Sequence, residues 1–105
     1  MNELLDPAIK AKVVELTELA KKYSVDYEVV DRGIFGAIVK FHQVTRHGYY
    51  TRMSSYLSFT DTGKVRVKSA WYQGRKTENV AAKHIEESLE FLAKLNDEAR
   101  AKMWA

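Results

Sequence analysis

Between Gly36 and Lys76 lie eight cations, Lys40, Arg46, Arg52, Lys64, Arg66, Lys68, Arg75 and Lys76, against the single acid Asp61, a net charge of +7. The flanks carry the opposite sign: residues 1–35 hold five cations and seven acids, and residues 77–105 hold four and six. Four of the six tyrosines fall in the basic stretch, so cations and aromatic rings are interleaved there. Lys and Arg displace counterions from phosphates, which gives affinity without sequence preference. Exposed Tyr or His rings, and the Arg plane, stack on unpaired bases at about 1–3 kcal/mol per base. A basic, tyrosine-bearing segment between acidic ends points to a polyanionic partner.

Other chemistry finds little support in the residues. There is no cysteine, which removes disulfides, thiolate metal sites and thiol catalysis, and fits a reducing compartment. His42, His47 and His84 match no metal-ligand spacing, so neither a metal nor a cofactor is expected. Gly33-x-x-Gly36 lacks the Lys-Ser/Thr ending of a phosphate loop and reads as a turn or bulge. With Asp61 the one carboxylate of the basic stretch, paired-carboxylate catalysis has no partners there. A metal-free RNase using His42 or His47 with Lys and Tyr is the one enzyme reading left, and the expectation is a non-enzyme.

The elements that would position these groups follow from periodicity. Asp6-Pro7 is a helix start, Asp as N-cap and Pro at the first position. Leu5, Ile9, Val13, Leu16, Ala20 and Tyr23 then recur at steps of three or four, predicting a helix from Pro7 to Tyr23 that stops at Ser24. Alternation predicts strands over residues 25–31, 37–44, 49–60 and 64–72, with turns at Arg32–Gly36, Thr45–Gly48 and Asp61–Gly63. Thr77-Glu78 reads as the start of a last helix of about 25 residues, roughly 37 Å, with the stripe Ala81, Ile85, Ser88, Leu92, Leu95, Ala99 and Met103.

These elements imply one domain of α+β class: a four-stranded antiparallel sheet with both helices on one face, in the order α-β-β-β-β-α. Val39, Phe41, Met53, Leu57, Phe59, Val65, Val67 and Trp71 would form the covered face. The uncovered face would collect Lys40, His42, Tyr50, Arg52, Tyr56, Lys64, Arg66, Lys68 and Tyr72, with Ser54 and Ser58 as further hydrogen-bonding groups. Arg75 and Lys76 would stand ahead of the last helix, whose N-terminus suits a phosphate oxygen.

The partner expected on that face is nucleic acid, with single strands or RNA favoured. The alternative is an adaptor or inhibitor whose basic face docks on an acidic surface of another protein. Gly74-Arg75-Lys76-Thr77 leading into Ala81-Ala82-Lys83 is loosely similar to the basic start of the last helix in double-stranded-RNA-binding domains. That family's Gly-Pro-x-His-like loop is missing and there is one strand too many, so no family is assigned. An overlong last helix ending in Leu95, Ala99, Met103 and Trp104 suggests a homodimer contact or a clasp over the first helix. The acidic start Met1-Asn2-Glu3-Leu4-Leu5-Asp6 is unlike a signal peptide, and no stretch is apolar enough to span a membrane. A cytoplasmic protein without membrane contact is expected.

Overall fold

The computed structural model describes residues 6–104, the last without its side chain. The expectations for Met1–Leu5 and for the Trp104 side chain therefore lie outside the described residues.

Helix α1 spans Pro7–Lys22. Asp6 caps it, its Oδ1 accepting the Ala8 N–H at 2.8 Å, and Pro7 occupies the first turn, where its missing N–H costs nothing. The C-terminus is closed by Ser24 in the left-handed region, φ 58°. The Val25 N–H then reaches back to the Ala20 carbonyl at 2.8 Å, and Val25 is buried. One face of α1 is sunk in the core through Ile9, Val13, Leu16 and Ala20, the stripe that its spacing predicts.

Five strands follow in a simple antiparallel meander: β1 Tyr27–Asp31, β2 Ala37–Thr45, β3 Gly48–Phe59, β4 Val65–Gln73 and β5 Lys76–Val80. Each pairs only with its neighbours in sequence, which short turns make possible. The chain is thus α+β, as its periodicity implies, but the sheet has five strands and not four.

The extra strand is where helix was expected. Lys76-Thr77-Glu78-Asn79-Val80 pairs with Gln73 to Ser69 of β4. A 3-10 turn, Ala82–His84, then leads into α2, Ile85–Trp104. Thr77-Glu78 has the local chemistry of a helix start, yet pairing with β4 gives the alternate backbone groups that face it partners across the ladder. The last helix accordingly has 20 residues, about 30 Å, and the length argument for an overhang falls away. Within it Leu95 and Ala99 are half-buried and Met103 is exposed.

Both helices lie on one face of the sheet. Their Ile9, Val13, Leu16, Ala20, Ile85, Leu89 and Leu92 join Ala37, Val39, Phe41, Met53 and Leu57 in a single core cluster. Two small residues share the middle of this covered face, Ser55 and Ser69, whose hydroxyls bond each other at 2.7 Å. A buried hydroxyl without a partner would cost stability, and the pairing removes that cost. No helix among the described residues is long and apolar enough to cross a membrane.

Candidate nucleic-acid interface

Residues directly opposite in an antiparallel pair share a face, so the register sorts the side chains. The face away from the helices carries the rung Val30–Ile38–Tyr56–Lys68 and the rung Glu28–Lys40–Ser54–Ala70–Asn79. Ser58 stands opposite Arg66, His42 opposite Thr51, Val44 opposite Tyr49 and Tyr72 opposite Thr77. Lys40, His42, Tyr56, Arg66, Lys68 and Tyr72 thus lie on the open face as predicted.

Tyr50 and Arg52 do not. A β-bulge falls between Phe41 and His42, where the pairing jumps from Phe41–Met53 to His42–Thr51 and leaves Arg52 as the extra residue. Tyr50 then pairs with Gln43, on the helix side, and Tyr49 takes the open side instead. Arg52 turns to the helix side too, its Nε donating to Gln43 Oε1 at 2.6 Å and its guanidinium lying 5.7 Å from the Trp71 ring centroid.

The bulge reconciles two demands that disagree by one residue. The two-residue turn Arg46-His47 closes on Thr45–Gly48, and the Thr45 hydroxyl locks it by donating to the Gly48 carbonyl at 2.8 Å. Carried down the hairpin unbroken, that register would set Phe41 opposite Arg52 and turn Met53 and Leu57 to solvent. Burying Met53 and Leu57 requires Phe41 opposite Met53, and Arg52 absorbs the difference. The conflict is written in the sequence, between the turn at residues 45–48 and the apolar set Phe41, Met53 and Leu57.

The remaining predicted cations sit at the ends. Lys64 closes the β3–β4 turn, its carbonyl accepting the Thr60 N–H at 2.7 Å. Arg75 is in the β4–β5 turn at the opposite end, and Lys76 opens β5 opposite Gln73, on the helix side. Neither stands before a helix N-terminus, because β5 and the 3-10 turn separate them from α2, so the phosphate-at-helix-end expectation is overturned. The likeness to the last helix of double-stranded-RNA-binding domains goes with it, since those residues form a turn, strand β5 and the start of a 3-10 turn here.

Two tyrosines build the centre of the open face. The phenol oxygens of Tyr56 and Tyr72 are 2.9 Å apart. Between their rungs lies the one formed by Ser54 and Ala70, whose small side chains let the rings lean together. Ser54 is only 2% exposed although it belongs to the uncovered face. The hydrogen bond with Tyr72 and partial burial push the Tyr56 phenol above its ordinary range, while Ser54 and the charge of Arg32 pull it down.

That influence of Arg32 marks a residue the sequence reading passed over. Arg32 continues the parity of Glu28 and Val30 off the end of β1, and one more step of the same alternation would have placed it. Tyr49 is the second addition, with its ring centroid 6.0 Å from that of His42. The open side thus carries Arg32, Lys40, Arg66 and Lys68, with Lys64 at its edge beside the turn, against Glu28, which faces Lys40 across the β1–β2 pair.

The three histidines lie on different elements: His42 on β2, His47 in the β2–β3 turn, and His84 in the 3-10 turn, 3.3 Å from Glu87. Among the described residues no group of three or more His, Asp or Glu side chains is placed to hold a metal. Comparison with protein-family models, curated proteins and solved structures returned no match.

Proposed function

We propose that the chain is a non-enzymatic nucleic-acid-binding protein that receives a single strand on the open face of its sheet. The observation that carries this reading is the Tyr56–Tyr72 pair on a helix-free face bordered by Arg32, Lys40, Arg66 and Lys68. Rings held by a phenol–phenol hydrogen bond and seated over Ser54 have already lost much of their rotamer freedom, so stacking a base on them costs less. His42 and Tyr49 extend the aromatic surface toward the β2–β3 turn. Same-face rungs repeat every ~6.8 Å and the rungs of Tyr56 and Tyr72 are two repeats apart, so a strand laid along the face meets one ring and then the other. The four cations take the phosphates.

The test is fluorescence anisotropy with labelled single-stranded DNA, duplex DNA and duplex RNA at about 50 and 200 mM salt. Four phosphate contacts on a single strand give a slope of about −3 in log K against log salt, a loss of roughly 50-fold between the two conditions. Micromolar binding to the single strand with that slope is the expected result. Preference for a duplex would overturn the stacking mode. No binding to any of the three at low salt would remove nucleic acid altogether and leave an acidic protein surface as the partner for this face.

A further inference from the structure

On the helix side of the sheet, at the bulge, Arg52 is held in an unusual setting. Its guanidinium lies 4.7 Å from the Tyr50 ring centroid and 5.7 Å from that of Trp71, so aromatic rings attend the planar group. Nε donates to Gln43 Oε1, and one terminal nitrogen donates to the Tyr72 carbonyl. Of the five N–H donors of an arginine, three have no acceptor among the described residues.

Among the described residues no carboxylate forms an ion pair with Arg52. The side chain is half-buried, and the loss of water pulls its pKa below the ordinary arginine value. A partly desolvated cation with spare in-plane donors gains more from an oxyanion than an exposed one does, and the planar fork fits a carboxylate with two parallel bonds.

Beside it is a cleft of about 340 Å³ lined by Gln43, Arg52, Trp71, Phe91 and Leu95, with Gln73 and Gly74 at its rim. Among the described residues no acid lines it; Glu78, opposite Trp71 on β5, borders the neighbouring cleft instead. Phe91 is 54% exposed even though its ring meets Trp71 at 5.8 Å, so the apolar wall is left partly uncovered. Clefts that hold small ligands start at about 300 Å³ and combine apolar walls with a few convergent polar groups.

We infer that this cleft is a binding site for a small aromatic carboxylate: the carboxylate on the free edge of Arg52, the flat ring against Trp71, Phe91 and Leu95. The site is separate from the open face and does not depend on nucleic-acid binding. Gln43 serves as the positioning residue, because its Oε1 fixes the plane of the guanidinium.

Isothermal titration calorimetry of the whole chain with 2-naphthoate tests the assignment, with 2-naphthamide and acetate as the neutral and ring-free controls. One-to-one binding of naphthoate below about 1 mM is expected, with each control weaker by about tenfold or more. Arg52→Gln should lose about tenfold for naphthoate and little for naphthamide, and Phe91→Ala should weaken both ring-bearing ligands. Equal affinity for naphthoate and naphthamide, or no saturation by about 5 mM, would overturn the site. Retained naphthoate affinity in Arg52→Gln would overturn it as well. Should circular dichroism show Arg52→Gln unfolded, the naphthoate–naphthamide ratio and the exposed-site variant Phe91→Ala decide the matter.

Discussion

The side-chain amide of Asn96 takes the place of a strand beside Val44. Its Oδ1 accepts the Val44 N–H at 2.8 Å, and its Nδ2 donates to the His42 carbonyl at 3.2 Å. These are the groups β2 presents past the start of β1, one step beyond the bond from the His42 N–H to the Asp26 carbonyl at 2.9 Å. Asn96 is 1% exposed, on the core side of α2 between Leu92 and Ala99, so water cannot substitute for it.

Replacing Asn96 by Leu keeps the branched shape and strips the β2 backbone of both partners. Each buried backbone group left unpaired costs about 1–3 kcal/mol, so Asn96→Leu should destabilise by roughly 2–4 kcal/mol. Urea unfolding measures this directly. A loss below about 0.5 kcal/mol would mean that the backbone groups find other partners.

Gly36 and Gly63 both have positive φ, at 107° and 81°, but differ in what surrounds them. A Cβ on Gly36 would stand 1.9 Å from the Leu57 carbonyl oxygen, whereas one on Gly63 would meet nothing within 4 Å. Gly63→Ala should therefore cost only the backbone strain, about 1–2 kcal/mol. Gly36→Ala must also push β3 away and should exceed about 3 kcal/mol. Thermal denaturation of the two variants side by side checks the order.

Glu86 at the start of α2 joins α1 through Lys22 Nζ at 2.8 Å and the Tyr23 hydroxyl at 2.6 Å. Those hydrogen bonds, from Lys22 first and then Tyr23, hold the Glu86 carboxyl below its usual 4.5. Its contribution is complete above that value and fades as pH falls through the lowered one. The same contact raises Lys22 from 10.5 and Tyr23 from 10.0, so their contributions are complete below those values and fade as pH rises past them. Glu86→Gln should flatten the stability profile at both ends. The change will be small, because all three groups meet solvent. Urea midpoints from acid to alkaline pH that coincide for the two proteins would refute the link.

The bulge puts Tyr50 and Tyr56, which simple alternation assigns to one face, on opposite faces of the sheet. Tyr56→Ala should weaken single-strand binding by about tenfold, the loss of one stacked base. Tyr50→Ala, on the helix side opposite Gln43, should change it by less than about twofold. Anisotropy titrations at one salt concentration compare them. Equal losses would mean that the strand does not follow the open face.

Most of the scaffold was legible because its signals are local. Asp6-Pro7, the stripe from Ile9 to Ala20, and the alternation of Val65, Val67 and Trp71 each act within a few residues, and α1 and β1–β4 end within two residues of their expected bounds. Strand β5 was not legible: Glu78 and Asn79 are poor strand formers, and only pairing with Trp71 and Ala70 makes them one. The open-face side of Tyr56, Arg66, Lys68 and Tyr72 was legible for the same reason, since they lie where the core register controls the alternation. Tyr50 and Arg52 lie where turn and core compete, and period two cannot choose between them.

The sequential meander also bears on how quickly the molecule assembles. Strand pairs joined by short turns close small loops, so β1 to β5 can zip together with little entropy lost at each step. Hydrogen bonds and ion pairs tie α2 to distant parts of the chain, Glu86 with Lys22 and Tyr23, Asn96 with β2, and Arg100 with Asp26 at 3.8 Å, and α1 packs on the same sheet face through Ile9, Val13 and Leu16. Docking of the two helices on the sheet is thus the long-range event, for which loop closure costs most. Until it occurs, the ribbon of strands presents Phe41, Met53 and Leu57 to water, and the refolding rate should follow substitutions at Leu89 and Leu92 more closely than those in the hairpin turns.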